Sequence, residues 1–135
     1  MSQWTHVCGC IRFDSIRPAG VGFISKEDVK KHLGNIVSFD DADEKWDACN
    51  VPCGSEGSIQ FHIWDNPSFN SAAAFAVAVF GDLRDFGKED IHKIKEWFER
   101  VTTTDIKKGI MIRNAILEIC VEEEEPIVLQ YKDKD

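Results

Sequence analysis

No part of the chain approaches the run of about eighteen consecutive apolar residues that a membrane-spanning helix needs. The opening Met-Ser-Gln-Trp has neither the basic nor the apolar region of a signal peptide, so a cytoplasmic location and no membrane partner are expected. Basic charge is also in short supply. Sixteen Lys and Arg stand against 24 Asp and Glu, for a formal charge of -8. That balance opposes any wrapping of DNA or RNA, because phosphate neutralisation drives such binding. A small anionic ligand is still open to it, since one or two local arginines decide that case. An even set of cysteines is missing too: there are five, which fits reduced thiols better than a secreted disulfide framework.

Catalytic signatures are equally scarce. His6, His32, His62 and His92 lie on separate segments, and none has a Ser, Cys or carboxylate at the spacing of a nucleophilic triad. The reading is therefore of a protein that is not an enzyme. Cys8 and Cys10 are separated by a single residue, and Cys49 and Cys53 flank Pro52, which is poor spacing for a zinc knuckle. No metal and no cofactor are expected. The segment Gly54-Ser55-Glu56-Gly57-Ser58 has the small residues of an anion-cradling nest but lacks the lysine and following helix of a P-loop. Gly54, Ser55, Gly57 and Ser58 are kept as a second anion site, with a plain turn as the alternative.

What is present is enough for one domain over residues 1–135: 43% hydrophobic and 10% aromatic side chains can build a core without metal or disulfide. Trp4 to Phe13 alternates Trp4, His6, Cys8 and Cys10 against Thr5, Val7, Ile11 and Phe13, the period of a strand. Asp14 to Gly22 reads as a loop. Ser25 with Asp28 forms a capping-box pattern that predicts a helix from Ser25 to Leu33, closed by Gly34. Ile36 to Phe39 reads as a short strand, and Asp40 to Gly57 as an irregular excursion. Ser58 to Trp64 alternates again and ends in the turn-forming Asp65-Asn66-Pro67, ahead of an antiparallel partner strand from Ala72 to Phe80. Lys88 to Val101 is amphipathic, with Ile91, Ile94, Phe98 and Val101 inward and Glu89, His92, Lys93 and Glu96 outward. Gly109 to Val121 and Ile127 to Tyr131, joined by an acidic turn, predict a C-terminal hairpin. This order implies an α+β fold: an antiparallel sheet with two helices packed on one face, ferredoxin-like or related, plus the hairpin.

The junction from Phe80 to Gly87 is the first candidate for a ligand site. As a loop between strand and helix it would offer an exposed Phe86, the Arg84 guanidinium, Leu83 and the unpaired N–H groups of a helix start, which suits a small phosphorylated nucleotide. The competing view pairs Arg84 with Asp82 or Asp85 and makes Phe86 a helix staple. Arg113 sits in an otherwise apolar strand and needs an anion, either a carboxylate or a ligand phosphate.

Taken together, Trp4-Thr5-His6-Val7, Ile11-Arg12-Phe13-Asp14, the Gly54 to Ser58 turn, the Phe80 to Phe86 junction and Arg113 resemble small phage proteins of the first Thoeris anti-defence family. The resemblance is loose but spans most of the chain. It implies a non-enzymatic sponge that sequesters cyclic ADP-ribose isomers in the host cytoplasm, with Phe86 and Arg113 as the matching ligand-binding residues. It also implies a dimer or larger homo-oligomer, and in some members a second site for cyclic oligonucleotides, for which the glycine turn would serve. The alternative class is an acidic inhibitor of anti-CRISPR or antirestriction type that blocks a nucleic-acid-binding defence protein by charge mimicry.

Overall fold

A computed structural model describes residues 3–16, 25–67, 72–103 and 110–132. Five strands form one antiparallel sheet: β1 (Trp4–Ile16), β2 (Gln60–Pro67), β3 (Ala72–Arg84), β4 (Ile110–Val121) and β5 (Ile127–Lys132), in the spatial order β2-β3-β1-β4-β5. The helices are α1 (Lys26–Leu33), α2 (Phe39–Glu44) and α3 (Ile91–Thr103), the last entered through a short 3₁₀ turn, Lys88–Asp90. The path β1-α1-β2 skips over β3, and β3-α3-β4 skips over β1. Two split βαβ units are thereby interleaved, which is the ferredoxin-like arrangement, and β5 is added at one edge.

Alternation along β1 explains why one face is buried. Thr5, Val7, Ile11 and Phe13 are buried together with Phe75, Val77, Val79 and Leu83 of β3 and Ala115, Leu117 and Ile119 of β4. Over this face lies α3, which contributes Ile91, Ile94, Trp97, Phe98 and Val101. The two helices are locked end to side. Gly34 ends α1 at φ 131°, leaving its last carbonyls to side chains of α3. Arg100 donates to the carbonyls of His32 at 2.8 Å and Leu33 at 3.0 Å, and the Trp97 indole donates to Leu33 at 2.7 Å. Trp97 also stacks on Phe61 of β2, with ring centroids 5.7 Å apart. These bonds satisfy the orphan carbonyls of a helix end inside the core.

Several elements differ from the sequence reading. Ile36 to Phe39 is not a strand: Ser38 caps the backbone of Asp41, and Phe39 opens α2, while only Asn35 makes an isolated bridge, to Asn50. Asp65-Asn66-Pro67 does not turn. It continues β2 in register with β3, since Pro67 can close a strand on an edge, where no ladder donor is required of it. The predicted loop after Phe13 begins later, because Asp14, Ser15 and Ile16 still pair with β3, and the rest of that loop lies outside the described residues, as does Gly109. Lys93 is buried rather than outward, its ammonium 3.2 Å from Asp90 one turn back. No helix among the described residues is long and apolar enough to cross a membrane.

Candidate functional site

The largest departure falls on the predicted ligand loop. β3 does not end at Phe80 but runs to Arg84, pairing Asp82, Leu83 and Arg84 with His6, Thr5 and Trp4 of β1. The chain then turns at Asp85, whose φ is 55°, and drives Phe86 into the core. Phe86 is 1% exposed and Leu83 0%, so neither presents a surface to a ligand. The Thr5 hydroxyl, itself buried, donates to the Phe86 carbonyl and fixes this turn. Arg84 is ion-paired at 2.7 Å, with Glu56 rather than with Asp82 or Asp85. The helix start is likewise filled by the chain itself, because the Gly87 N–H donates to the Asp90 carboxylate and the Phe86 N–H to the Gln3 carbonyl. The place proposed for a ligand anion is held by an internal carboxylate.

The glycine turn is committed in the same way. Gly54 donates to Gly57, Ser55 donates its N–H to the Arg84 carbonyl, and the Arg84 N–H returns to Glu56. The Ser55 hydroxyl binds Asp85 at 2.6 Å. Gly57, at φ 77°, lies so close to β3 that a Cβ there would strike the Asp82 carbonyl. Ser58 forms an isolated bridge with Cys53. Gly54, Ser55, Gly57 and Ser58 therefore clamp the end of β3, and the two carboxylates beside them repel an anion. This explains why β3 continues past Phe80: the turn supplies it with backbone partners.

Arg113 is placed otherwise. The β1/β4 register slips between Arg12, which faces Asn114, and Phe13, which faces Ile112, so Arg113 is the extra residue of a β-bulge. A bulge re-aims its side chain. Here the guanidinium reaches Asp14 on the solvent face, at 2.8 Å, and stays 64% exposed. Arg113 thus stands beside Phe13 while Arg84 stands opposite Trp4. At about 3.3 Å per residue the two are roughly 30 Å apart along β1. One chain cannot bring both to a single pyrophosphate.

What the sheet does gather is on its other face. Register gives three solvent-facing rows: Gln60, Phe80, Cys8, Glu118 and Val128; His62, Ala78, Cys10, Ile116 and Gln130; and Trp64, Ala76, Arg12 and Asn114. Of the five exposed large apolar side chains among the described residues, four lie here: Trp64 at 54%, Phe80 at 44%, Ile116 at 46% and Val128 at 55%; the fifth, Ile36, lies between α1 and α2. At the Arg113 end a cavity of about 290 Å³ is lined by Arg12, Trp64, Asp65, Ala74, Phe75 and Ala76. Alanines at 74 and 76 make a low floor, the Trp64 indole rises at one side, and Arg12 supplies a guanidinium. Arg84, Arg100 and Arg113 each have a bonded partner, whereas Arg12 has none among the described residues. An aromatic wall, a flat apolar floor and an uncommitted cation suit a planar ring that carries an anionic group, although Asp65 also lines the cavity and its negative charge works against the anion. The His62 imidazole meets the Trp64 indole edge to face at 4.1 Å and holds that ring in place.

At the opposite end of the same face, His6 stands between Asp82, 2.6 Å from Nδ1, and Glu122, 3.4 Å from Nε2. The hydrogen bond to Asp82 is the largest influence and raises the imidazole pKa above its usual value, with Glu122 adding to it and partial burial opposing it. Nearby, the Cys120 thiol is pushed up by its bond to Glu118. Burial likewise raises the Cys53 thiol, which leaves it a poor nucleophile. Among the described residues no three His, Cys, Asp or Glu side chains converge as metal ligands.

Arg12 and Trp64 lie within the strands expected from the sequence, but no local motif marks either as a ligand residue. The signal available was their register: both occupy the polar phase of alternating strands, where neither a bulky indole nor a guanidinium is needed for the core. No family model, curated protein or solved structure matches the chain.

Proposed function

We propose that the protein binds a small nucleotide of the cyclic second-messenger class on the open face of its sheet and sequesters it intact, in the cytoplasm of a phage-infected host cell. The observation that carries this reading is Arg12, without a bonded partner among the described residues, beside the exposed Trp64 over the Ala74 and Ala76 floor. A cavity of about 290 Å³ takes one base and its phosphate, and the remainder of a larger cyclic nucleotide extends over the adjoining face. Trp64 stacks the base, and Arg12 forks onto the phosphate. Arg113 lies at the same end, its charge balanced by Asp14. The resemblance to Thoeris anti-defence proteins supports the ligand class, with Arg113 kept from its expected contacts and Phe86 replaced by Trp64 as the stacking ring.

Sequestration requires stacking, guanidinium forks and enclosure rather than an acid and a base. The His62 imidazole, in contact with the Trp64 ring, gives a hydrolytic reading its one foothold. Nucleotide recovery separates the two. Protein loaded with cyclic ADP-ribose isomers or cyclic dinucleotides and then heat-denatured should release them unchanged by mass spectrometry; release of an opened or truncated product would overturn sequestration. Failure to bind any of them, with Arg12 and Trp64 intact, would favour the acidic-inhibitor class instead.

A further inference from the structure

We infer that the outer edge of β5 takes up an extended segment of another protein as a sixth strand, and that this segment alternates apolar side chains and carries a basic end. The inference rests on β5 and α3 and is independent of the nucleotide reading. β5 is a terminal strand of the sheet, and no described residue pairs with its outer edge. Every second residue of such a strand turns its N–H and C=O away from its one neighbour, so its 6 residues offer about three donors and three acceptors in a row. Natural edges are blunted by proline, charge or a bulge. β2, at the other edge, carries Asp65 and ends in Pro67, whereas Ile127 to Tyr131 has no proline, glycine or charge and pairs with β4 without a break in register.

What lies beside this edge suits a strand. A groove of about 390 Å³ runs between α3 and β5, lined by Phe98 and Thr102 of the helix and by Leu129 and Tyr131 of the strand, both of which stay only partly buried. Every second side chain of an added strand enters this groove against apolar surface, and the intervening ones lie beside Val128 and Gln130. Main-chain bonds then supply affinity and the groove selects the alternation. Charge decides the end. The β4–β5 turn sets exposed Glu123, Glu124 and Glu125 at the start of β5, and their carboxylates have no partner among the described residues, whereas in the groove Lys95 offsets Glu99. An antiparallel sixth strand, the more stable pairing, has its C-terminal end beside that turn, which places the lysines or arginines of the segment there. The formal charge of -8 sets a second copy of this chain against the first and draws a basic partner.

Selection of a random dodecapeptide display library on the immobilised chain tests this directly. Enriched peptides should alternate apolar residues and end in Lys or Arg, and a synthetic copy should slow hydrogen exchange at β5 ahead of every other strand. Only one of the two alternating sets of peptide N–H groups can meet β5. N-methylation of that set should therefore cut affinity at least about tenfold, and N-methylation of the other should leave it within about threefold. The exposed double substitution Glu124→Gln, Glu125→Gln, with wild-type circular dichroism, should weaken the peptide and flatten its salt dependence. Enrichment without alternation, equal loss from both N-methylated sets, or protection confined to β2 or to the open face would overturn the inference. So would a peptide-free chain already dimeric through β5, for the edge would then belong to a second copy.

Discussion

Phe86 and Trp64 exchange the roles that their sequence contexts suggest. Phe86 follows an arginine and precedes a glycine, as exposed loop aromatics do, yet it closes the core beneath Thr5. Phe86→Ala should therefore cost stability, about 3 to 5 kcal/mol in denaturant unfolding, and leave nucleotide affinity unchanged once the folded fraction is accounted for. Trp64→Ala should do the reverse, weakening binding by about 1 to 3 kcal/mol in calorimetry with little change in midpoint. His6 allows a pH test. Its pKa is raised in the folded state, so its contribution is complete below the unfolded value and is lost as pH rises through the folded one. The melting temperature of the wild type should exceed that of His6→Asn most at mildly acid pH, and the gap should close at alkaline pH. A constant gap would mean that the Asp82 and Glu122 contacts do not depend on the imidazolium.

At the scale of elements, the sequence was legible wherever the determinant is local. The period of β1, the Ser25–Asp28 capping box, the apolar stripe of α3 and the acidic turn of the C-terminal hairpin each lie within a few residues and appear as expected. Elements decided by distant partners were not legible. β3 outruns its predicted end because the Gly54–Ser58 turn, some thirty positions earlier, bonds to Arg84. The same long-range pairing hid the site: it converts a loop into strand and directs Phe86 inward. The bulge at Arg113 is set by the β1/β4 register, which no single segment encodes. Gly57→Ala tests the clamp. With φ at 77° and the Asp82 carbonyl in contact, the substitution should destabilise by about 1 to 3 kcal/mol, and hydrogen exchange should quicken at Leu83 and Arg84 before the rest of β3.

For the whole molecule, the ferredoxin-like arrangement spends one sheet face on the helices, and among the described residues nothing covers the other. Charge mimicry fits the molecule less well, since on the outer side of α3 and its approach Glu89, Glu96 and Glu99 are interleaved with Lys88 and Lys95.

The most direct measurement is isothermal titration of cyclic ADP-ribose isomers and cyclic dinucleotides into the wild type, Arg12→Ala and Arg84→Ala. Binding by the wild type should weaken by about 1.5 to 3 kcal/mol in Arg12→Ala, the usual range for a charge-assisted hydrogen bond, and persist in Arg84→Ala. Equal binding by the wild type and Arg12→Ala, with loss in Arg84→Ala, would contradict the account and return the site to the turn beyond β3.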